Sequence, residues 1–244
     1  MTRRRWIADE VSGDRATLVG KHADHLMRVL RARVGQEFDI ATGPAVRRGK
    51  ITSIANDRVE FELGEELCGQ ETRQITLLLA IFKFDRMEWA IEKCTELGVA
   101  RIVPVIARRT DSHLAAASAK RAERWRRIAQ QAAEQSRRPG SPEIAVPVKL
   151  FEVLNVPAAL RIVLSEWEEQ TLLRDVVKPD TRGLENEGNG IALALGPEGG
   201  WSEDEAQSFR AAGWIAVSLG NTILRAETAA IAATAIVASA LYTL

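Results

Sequence analysis

The sequence predicts an α/β protein in which a small β-rich region precedes a larger region of alternating strands and helices. Two observations support this fold class. Short segments with an apolar residue at every second position fill the first seventy residues, and buried apolar runs then alternate with helical patterns. Strands that alternate with helices form a mostly parallel sheet that is covered on both faces. The chain has 244 residues, which suits one large domain or two modest ones.

The first region, residues 1–70, is predicted to be a small β-barrel. The segments EFDIA, KITSI and RVEFEL alternate polar and apolar residues, as half-buried strands do. One short helical piece, HADHLMRVLRARVG, places Leu26, Val29 and Leu30 on one side. The acidic segment LGEELCGQETRQ is predicted to link this barrel to the second region, residues 73–244.

Buried strands of the second region are predicted at ITLLLAIF, RIVPVIA, RIVLSE, IALALG and WIAVSLG. Asp85 and Glu88 resemble a capping box for a helix that ends at Gly98, and a long basic helix is expected over Ser118–Arg137. The uncharged, alanine-rich segment Thr228–Leu244 is slightly short and weakly hydrophobic for a membrane span. We expect no membrane contact, and a helix that packs against the sheet and suits a second subunit.

Charge and cysteine usage narrow the classes of protein further. Lys and Arg together number 33, as do Asp and Glu, but basic residues exceed acidic ones by twelve to seven over residues 1–58 and by seven to two over 119–138. Such surfaces suit phosphate contacts, although solvated faces would have the same composition. Cys68 and Cys94 form neither a disulfide framework nor a zinc motif, and the N-terminus lacks a secretory signal, which indicates a reduced, cytoplasmic protein.

Two glycine-containing loops follow buried strands. The loop LALGPEGGWSEDE lacks the GxGxxG spacing of a dinucleotide site and the GKS/T ending of a P-loop, and its Glu198 would repel a phosphate. Ser202 and Glu205 are predicted to form a capping box, so a tight turn before a capped helix is the structural alternative. The loop SLGNTILRAETAA places Arg225 and Glu227 after a second strand. Because ligands bind beyond the carboxyl ends of such strands, both loops predict a pocket for an adenosine derivative with a positive centre.

Several of these segments together resemble one family. GPEGGWSEDE, LGNTILRAETAA, KFDRMEWAIEKCTELGV, RWRRIAQQAAEQSRR and HLMRVLR are similar, in the same order, to motifs of the RsmE family. These are SPOUT-superfamily methyltransferases that act on uridine N3 in 16S ribosomal RNA. The resemblance implies a C-terminal SPOUT-type domain with a trefoil knot, an N-terminal PUA-like β-barrel that helps to bind RNA, a homodimer, and S-adenosylmethionine as the cofactor. No metal is expected either, because His22, His25 and His113 are interpreted as surface or packing residues and form no metal-binding cluster.

The resemblance and the reaction chemistry also nominate individual residues. Cofactor-binding residues implied by the family loops are Leu164, Ser165, Leu195, Gly196, Pro197, Glu198, Gly199, Gly200, Ser218, Leu219, Gly220, Ile223 and Leu224. The candidates for RNA contact are Arg3, Arg4, Arg5, Arg28, Arg31, Lys83, Arg86, Lys93, Arg121, Arg124, Arg127, Arg137 and Arg138.

Methylation of a uridine N3 requires removal of its proton. We expect Arg225 to stabilise negative charge on the base and Glu198 to accept the proton, with Glu227 as a competing base. A purely structural role for both glutamates, in capping or in pairing with Arg225, is the alternative. Thr222 and Ala226 depart from the arginine and threonine that the family commonly has at these positions.

Two other classes of function remain at the level of sequence. One is a SPOUT methyltransferase that acts on another RNA or on a ribose 2′-hydroxyl group. The other is a non-catalytic RNA-binding factor of ribosome assembly, which would keep the basic regions without needing two glycine loops.

Overall fold

The computed structural model describes residues 5–42, 45–67, 74–136, 138, 140–177 and 190–241. Two compact units divide the chain: Met1–Glu71 with Ala133–Ser141, and Thr72–Ala132 with Pro142–Leu244. Of the predicted linker, residues 68–73 lie outside the described residues, whereas residues 63–67 belong to a strand of the first unit, so the linker prediction is wrong for them. Within the described part, no helix is both long and apolar enough to cross a lipid bilayer.

The first unit is built on a six-stranded sheet. Its strands are β1 (Arg5–Ile7), β2 (Glu10–Ser12), β3 (Arg15–Val19), β4 (Glu37–Ala41), β5 (Val46–Ala55) and β6 (Arg58–Leu67). They lie in the order β1-β4-β5-β6-β3-β2, and every pair is antiparallel except β1 with β4. The edge strands β1 and β2 are consecutive in the chain, so this short stretch pairs with β4 at one end and with β3 at the other, and the sheet curls.

The helical piece of this unit departs from the predicted pattern. Helix α1 (Gly20–Asp24) continues as a π-helical turn over His25–Val29. Leu26 is buried against the sheet, but 65% of Val29 is exposed. The prediction that Leu26, Val29 and Leu30 share one packed side is therefore wrong for Val29, because the wider π-helical turn changes the angle between successive side chains.

The second unit contains a sheet in which all observed pairings are parallel. Its strands are β7 (Gln74–Ala80), β8 (Arg101–Ile106), β9 (Glu143–Ile144), β10 (Val148–Lys149), β11 (Leu160–Leu164), β12 (Gly190–Leu195) and β13 (Ile215–Val217). The main order is β10-β8-β7-β12-β11-β13, with β9 beside β8. The helices are α2 (Phe84–Glu96), α3 (Ser112–Gln135), α4 (Leu173–Val176), α5 (Glu203–Ala211) and α6 (Ala226–Leu241). The predicted mostly parallel α/β architecture is confirmed.

Two hydrophobic cores cover the two faces of this sheet. Along β7, Leu77 and Leu79 point into the core that contains α2 and α6, whereas Leu78 and Ala80 point into the core that contains α5. Successive side chains of a strand alternate between faces, so a strand buried on both faces must be apolar throughout. This accounts for the uninterrupted run ITLLLA in the sequence.

Helix α2 ends as predicted but begins differently. Met87, Ala90, Ile91 and Cys94 are buried along one side of the helix, and Gly98 follows its end with a φ of 100°. Glycine adopts this left-handed conformation without the steric cost of a Cβ atom. The predicted capping box of Asp85 and Glu88 is wrong, because the N-cap is Lys83 and makes no side-chain cap.

Helix α6 packs on the sheet with one side. Ala230, Ala233 and Val237 are fully buried there, while Ile231 and Ile236 flank this side, pack against the same core and are only partly buried. The predicted packing against the sheet is confirmed for the first side. At these flanks, apolar surface of α6 is left partly uncovered by the residues that the structure describes.

Candidate functional site

A cavity of about 740 Å³ lies at the carboxyl ends of three neighbouring strands of the second unit. Its walls are the loops that follow β11, β12 and β13, together with the start of α6 and Arg86 of α2. In open α/β sheets, loops at this edge are free of the ladder hydrogen bonds and can bind ligands with their backbone groups. The two glycine loops noted in the sequence are therefore brought together, and a third loop joins them.

The loop after β12 is a tight turn that glycine makes possible. The amide of Gly200 donates to the carbonyl of Pro197 at 2.8 Å, and Gly200 has a φ of 69°. A Cβ at Gly200 would lie 2.5 Å from Oε1 of Glu166. Arg109 holds the same loop from outside, since its Nη1 donates to the carbonyl of Gly199 at 2.6 Å.

The predicted capping box after this loop is confirmed. The amide of Glu205 donates to Oγ of Ser202 at 3.3 Å, and the amide of Ser202 donates to Oε2 of Glu205 at 2.8 Å. The second oxygen of Glu205 accepts the amide of Arg108 at 2.7 Å. The cap thus fixes the start of α5 and also connects it to the loop after β8.

The loop after β13 combines backbone order with exposed side chains. The amide of Ser218 donates to the carbonyl of Thr171 at 2.8 Å, and Oγ of Ser218 accepts the amide of Gly220 at 3.2 Å. Beyond this turn, 89% of Ile223 is exposed. Arg225 is also exposed and makes no ion pair with any residue that the structure describes.

The loop after β11 is acidic and begins in register with β13. The amide of Ser165 donates to the carbonyl of Val217 at 3.0 Å. Oε1 of Glu168 accepts the amides of Thr171 at 2.8 Å and Gln170 at 2.9 Å. These two backbone donors stabilise the carboxylate and lower the pKa of Glu168, so that this glutamate carries a negative charge at neutral pH.

An arginine on α2 lies between two glutamates of the site. Nη1 of Arg86 is 2.7 Å from Oε1 of Glu198, and its Nε is 3.7 Å from Oε1 of Glu227. Glu227 is 4% exposed, and its Oε2 has no hydrogen-bond partner among the described residues. The sequence analysis considered a pairing of both glutamates with Arg225; the structure pairs them with Arg86 instead.

The charge of the cavity wall restricts the ligand. Four glutamates line it, Glu166, Glu168, Glu169 and Glu198, against two arginines, Arg86 and Arg225. A wall with this excess of carboxylates disfavours a di- or triphosphate and suits a ligand with a positive centre. The glycine and backbone groups of the three loops supply neutral donors and acceptors for the rest of such a ligand.

Most of the residues nominated as cofactor-binding line this cavity. The set comprises Leu164, Ser165, Leu195, Gly196, Pro197, Glu198, Gly200, Ser218, Leu219, Gly220, Ile223 and Leu224. Gly199 faces Arg109 instead. Arg86, nominated only for RNA contact, is a wall residue of this cavity, and Trp167 and Trp201 of the wall were not nominated at all. The sequence did offer a signal for the two tryptophans: Trp167 lies in the acidic segment SEWEEQ, and Trp201 directly follows the glycine loop.

The basic residues nominated for RNA contact fall into three groups. Lys93 pairs with Glu92 and Glu96, and Arg124 makes two hydrogen bonds to Glu88 at 2.6 and 2.8 Å, so these cations are engaged within the chain. Arg28, Arg86 and Arg121 also lie near carboxylates. Arg31, Lys83 and Arg127 form no ion pair within the part of the chain that the structure describes. Arg3, Arg4, Arg137 and the side chain of Arg5 lie outside the described residues, whereas Arg138 lies within them.

Comparisons with known proteins agree with this geometry. Residues 70–238 match the RNA methyltransferase domain family. The chain is 32% identical over 217 residues to ribosomal RNA small subunit methyltransferase E of Synechocystis sp. The matched region covers 87% of this chain and 69% of that protein. A protein of the same name from Mycobacterium bovis is 34% identical over 227 residues, 90% of this chain and 84% of its own length.

A solved structure shows the same fold. The crystal structure of ribosomal RNA small subunit methyltransferase E from Neisseria gonorrhoeae bound to S-adenosyl methionine superposes with a TM-score of 0.72 at 32% identity. The superposition covers 96% of each chain.

Proposed function

Because the chain belongs to the ribosomal RNA small subunit methyltransferase E family, we propose that it methylates N3 of a uridine in 16S ribosomal RNA with S-adenosylmethionine as donor. The family membership supports methylation of small-subunit ribosomal RNA by a donor of this kind. The choice of N3 as the target atom rests on the chemistry of the site and on the family resemblance of its loops.

One observation carries the proposal for this chain: three loops form an acidic cavity beside the Arg86–Glu198 pair. The volume of about 740 Å³ lies within the range of small-molecule and cofactor sites. Backbone groups around Gly196 and Gly220 suit a nucleoside and an amino-acid moiety, and the surrounding glutamates suit a sulfonium. The residues present therefore fit S-adenosylmethionine, which supplies an electrophilic methyl carbon when bound.

The loops contribute to catalysis by orientation. Methyl transfer is an in-line displacement, so fixing donor and acceptor at the right distance and angle removes much of the barrier. The turn between Pro197 and Gly200 and the bond from Ser218 to Thr171 hold two of these loops in place. The uridine base therefore enters a site whose loops are already held in place by these hydrogen bonds.

Glu198 is the proposed proton acceptor. N3 of uridine carries a proton at neutral pH and must lose it for the nitrogen lone pair to form the new N–C bond while the C–S bond breaks. Glu198 lines the cavity and is 40% exposed at its side chain, whereas Glu227 is 5% exposed and does not line it. Oε1 of Glu198 is held by Arg86, and Oε2 is the oxygen that would take the proton. This assigns Glu227 a positioning role through Arg86.

Arg225 is the proposed electrophilic group. Removal of the N3 proton spreads negative charge onto the two flanking carbonyl oxygens of the base, and a guanidinium next to them lowers the energy of that state. Arg225 lines the cavity and is not engaged by any described carboxylate, so its charge is available for the substrate.

The substrate base must be unpaired when it reacts. N3 lies on the Watson–Crick edge, so the uridine has to leave any helix before it enters the cavity. We propose Arg31, Lys83 and Arg127 as phosphate contacts, because their charges have no described partner. The ion-paired Lys93, Arg121 and Arg124 are weaker candidates, since binding RNA would cost their existing contacts with glutamates.

The same proposal includes the architecture that the family resemblance implies. A PUA-like barrel fits the curled sheet of the first unit, and a trefoil knot fits a site made of three adjoining loops before the last helix. A homodimer fits the partly exposed apolar flanks of α6 at Ile231 and Ile236. We also propose that the protein is located in the cytoplasm, because its ribosomal substrate is located there.

The test is methyl transfer by the purified protein with radiolabelled S-adenosylmethionine. Small ribosomal subunits, 16S RNA and transfer RNA from a strain lacking the gene serve as separate substrates. Label in 16S RNA that digests to 3-methyluridine supports the proposal. Label in a ribose, label in transfer RNA only, or no binding of S-adenosylmethionine by calorimetry contradicts it.

A further inference from the structure

A second cavity, of about 420 Å³, adjoins the first on the α5 side of the sheet. The two cavities share four lining residues, Ser165, Trp167, Glu168 and Trp201. Nothing in the methyl-transfer site accounts for this second space. Any occupant of the second cavity would therefore lie against residues that also line the methyl-transfer cavity.

The floor of the second cavity is a buried aromatic cluster. The rings of Trp201 and Phe209 are 4.8 Å apart, and those of Phe209 and Trp214 are 5.1 Å apart, both in edge-to-face arrangements. Nε1 of Trp214 donates to the carbonyl of Leu154 at 2.8 Å, which fixes that ring.

One tryptophan of the wall is largely unburied. Trp167 is 74% exposed, although it lies on a loop whose backbone is ordered by Ser165 and Glu168. A large aromatic side chain held in water at the mouth of a cavity offers a face for stacking. Nucleobases of single-stranded RNA are bound in this way by many proteins.

Charges at the rim complement a nucleotide. Arg109 and Arg210 line the cavity, are exposed and make no ion pair with a described carboxylate. Arg109 is positioned by the bond from its Nη1 to the carbonyl of Gly199, which leaves Nε and Nη2 to donate to a ligand. Two arginines can hold one phosphate. Glu168 and Glu203, also in the wall, can accept hydrogen bonds from the amino group of a base.

We propose that the second cavity binds a nucleotide that neighbours the target uridine in the RNA strand. Its base stacks on Trp167 and its phosphate contacts Arg109 and Arg210. The proposal rests on the proposed function, because it gives the RNA substrate a second point of attachment beside the reacting base. A base flipped into the first cavity pulls its neighbour out of the helical stack, and the aromatic wall compensates for the lost stacking.

The choice of a nucleotide over other occupants follows from the same residues. A part of the methyl donor would need no phosphate contact, so it would leave both arginines unused. A protein side chain would not require exposed stacking surface and two cations at one cavity. Only a nucleotide uses the aromatic face, the arginines and the shared wall together.

Two test variants, each with a control, alter the second cavity and leave the first unchanged. Ala206→Trp, on α5, fills the second cavity. Its control, Gln207→Trp, adds the same ring at an exposed position of α5 that lines neither cavity. Arg210→Gln removes one rim charge, and Arg174→Gln removes an exposed charge from α4 as its control. Thermal unfolding establishes that each variant is folded.

The measurements are affinity for unmethylated small subunits at several salt concentrations, affinity for S-adenosylmethionine, and transfer rate. We expect Ala206→Trp to weaken RNA binding by about 5- to 150-fold, the range for one lost stack, while donor affinity is unchanged. Arg210→Gln should reduce the slope of log affinity against log salt by about one. Both controls should behave as the wild type.

Other results overturn the inference. If Ala206→Trp weakens donor binding instead, the second cavity belongs to the donor. If folded Ala206→Trp and Arg210→Gln bind RNA as the wild type does, the cavity has no part in RNA binding, and a protein partner becomes the alternative occupant. Failure of the wild type to transfer methyl groups would be a failure of the proposed function, which this comparison keeps separate.

Discussion

The guanidinium of Arg86 lies 2.7 Å from the carboxylate of Glu198. This contact joins α2, which follows β7, to the glycine loop that follows β12. These strands are neighbours in the sheet, so the pair fixes the loop against the next element along that edge. The same arginine reaches the buried Glu227 at 3.7 Å, and one side chain thus orders both glutamates of the site.

Removal of Arg86 should reveal this coupling in the free energy of unfolding. Arg86→Gln leaves Glu227 buried without its cationic neighbour, and we expect a cost of about 1–3 kcal/mol in chemical denaturation. The double variant Arg86→Gln/Glu227→Gln should recover part of this loss, because the isolated charge is gone. Strictly additive effects of the two substitutions would contradict a coupled pair.

Substitution of Glu198 and of Glu227 should have different effects on kcat and on the pH–rate profile. Glu198→Gln removes the proposed base, so we expect kcat to fall by about 10²- to 10⁴-fold while S-adenosylmethionine still binds. Glu227→Gln should lower kcat less and should retain the shape of the pH–rate profile, since it acts only through Arg86. The assignment is reversed if Glu227→Gln loses the acidic limb of the profile and Glu198→Gln keeps it.

Two adjacent glycines offer a matched pair for the cofactor loop. Gly200→Ala forces a Cβ onto a residue with a φ of 69°, a strain of about 1–2 kcal/mol that the loop can relieve only by changing shape. We expect a roughly tenfold loss of S-adenosylmethionine affinity by calorimetry. At Gly199 an added Cβ meets Arg109 at an ordinary 3.5 Å, so Gly199→Ala should bind nearly as the wild type. Equal affinities for both variants would argue against the loop as cofactor wall.

Cys94 provides a test of the core between α2 and α6. Its thiol is buried and contacts the hydroxyl of Thr234 at 3.5 Å, and burial raises the pKa of Cys94 to about 12 because the thiolate would lose its hydration. In a Cys68→Ser background we expect no reaction with an aromatic disulfide reagent at about pH 8 until the protein unfolds. Rapid reaction of the folded protein would show that this core opens.

Arg124 and Arg127 are close in the chain but differ in their contacts. Arg124 is held by Glu88, whereas Arg127 has no ion pair within the described residues. We expect Arg127→Ala to reduce the salt slope of RNA binding by about one and to leave stability unchanged. Arg124→Ala should mainly lower thermal stability. Identical salt slopes for Arg127→Ala and the wild type would remove Arg127 from the RNA surface.

Local sequence was enough to predict the features that depend on neighbouring residues. The apolar run of β7, the capping box of Ser202 and Glu205, and the stop of α2 at Gly98 each follow from side chains within a few positions. The two glycine loops were recognised for the same reason. Their meeting at one edge followed from a general property of parallel sheets, without knowledge of the strand order.

Features that depend on strand order could not be predicted in this way. Arg86 and Glu198 are 112 positions apart, and they meet only because β7 lies beside β12. Glu88 looked like part of a cap, but it binds Arg124 on the neighbouring helix. Likewise, the two arginines of the second cavity come from separate parts of the chain: Arg109 lies in the loop after β8, and Arg210 lies on α5. A charged residue shows which partners it can have, and only the fold shows which one it has.

The most direct test of the central claim is primer extension by reverse transcriptase along 16S RNA from three strains. These are the wild type, a strain lacking the gene, and that strain carrying the Arg225→Ala variant. A methyl group on N3 blocks Watson–Crick pairing, so we predict one strong stop in the wild type that is absent from the other two. If the stop persists in the strain lacking the gene, this protein is not the uridine-N3 methyltransferase of that site.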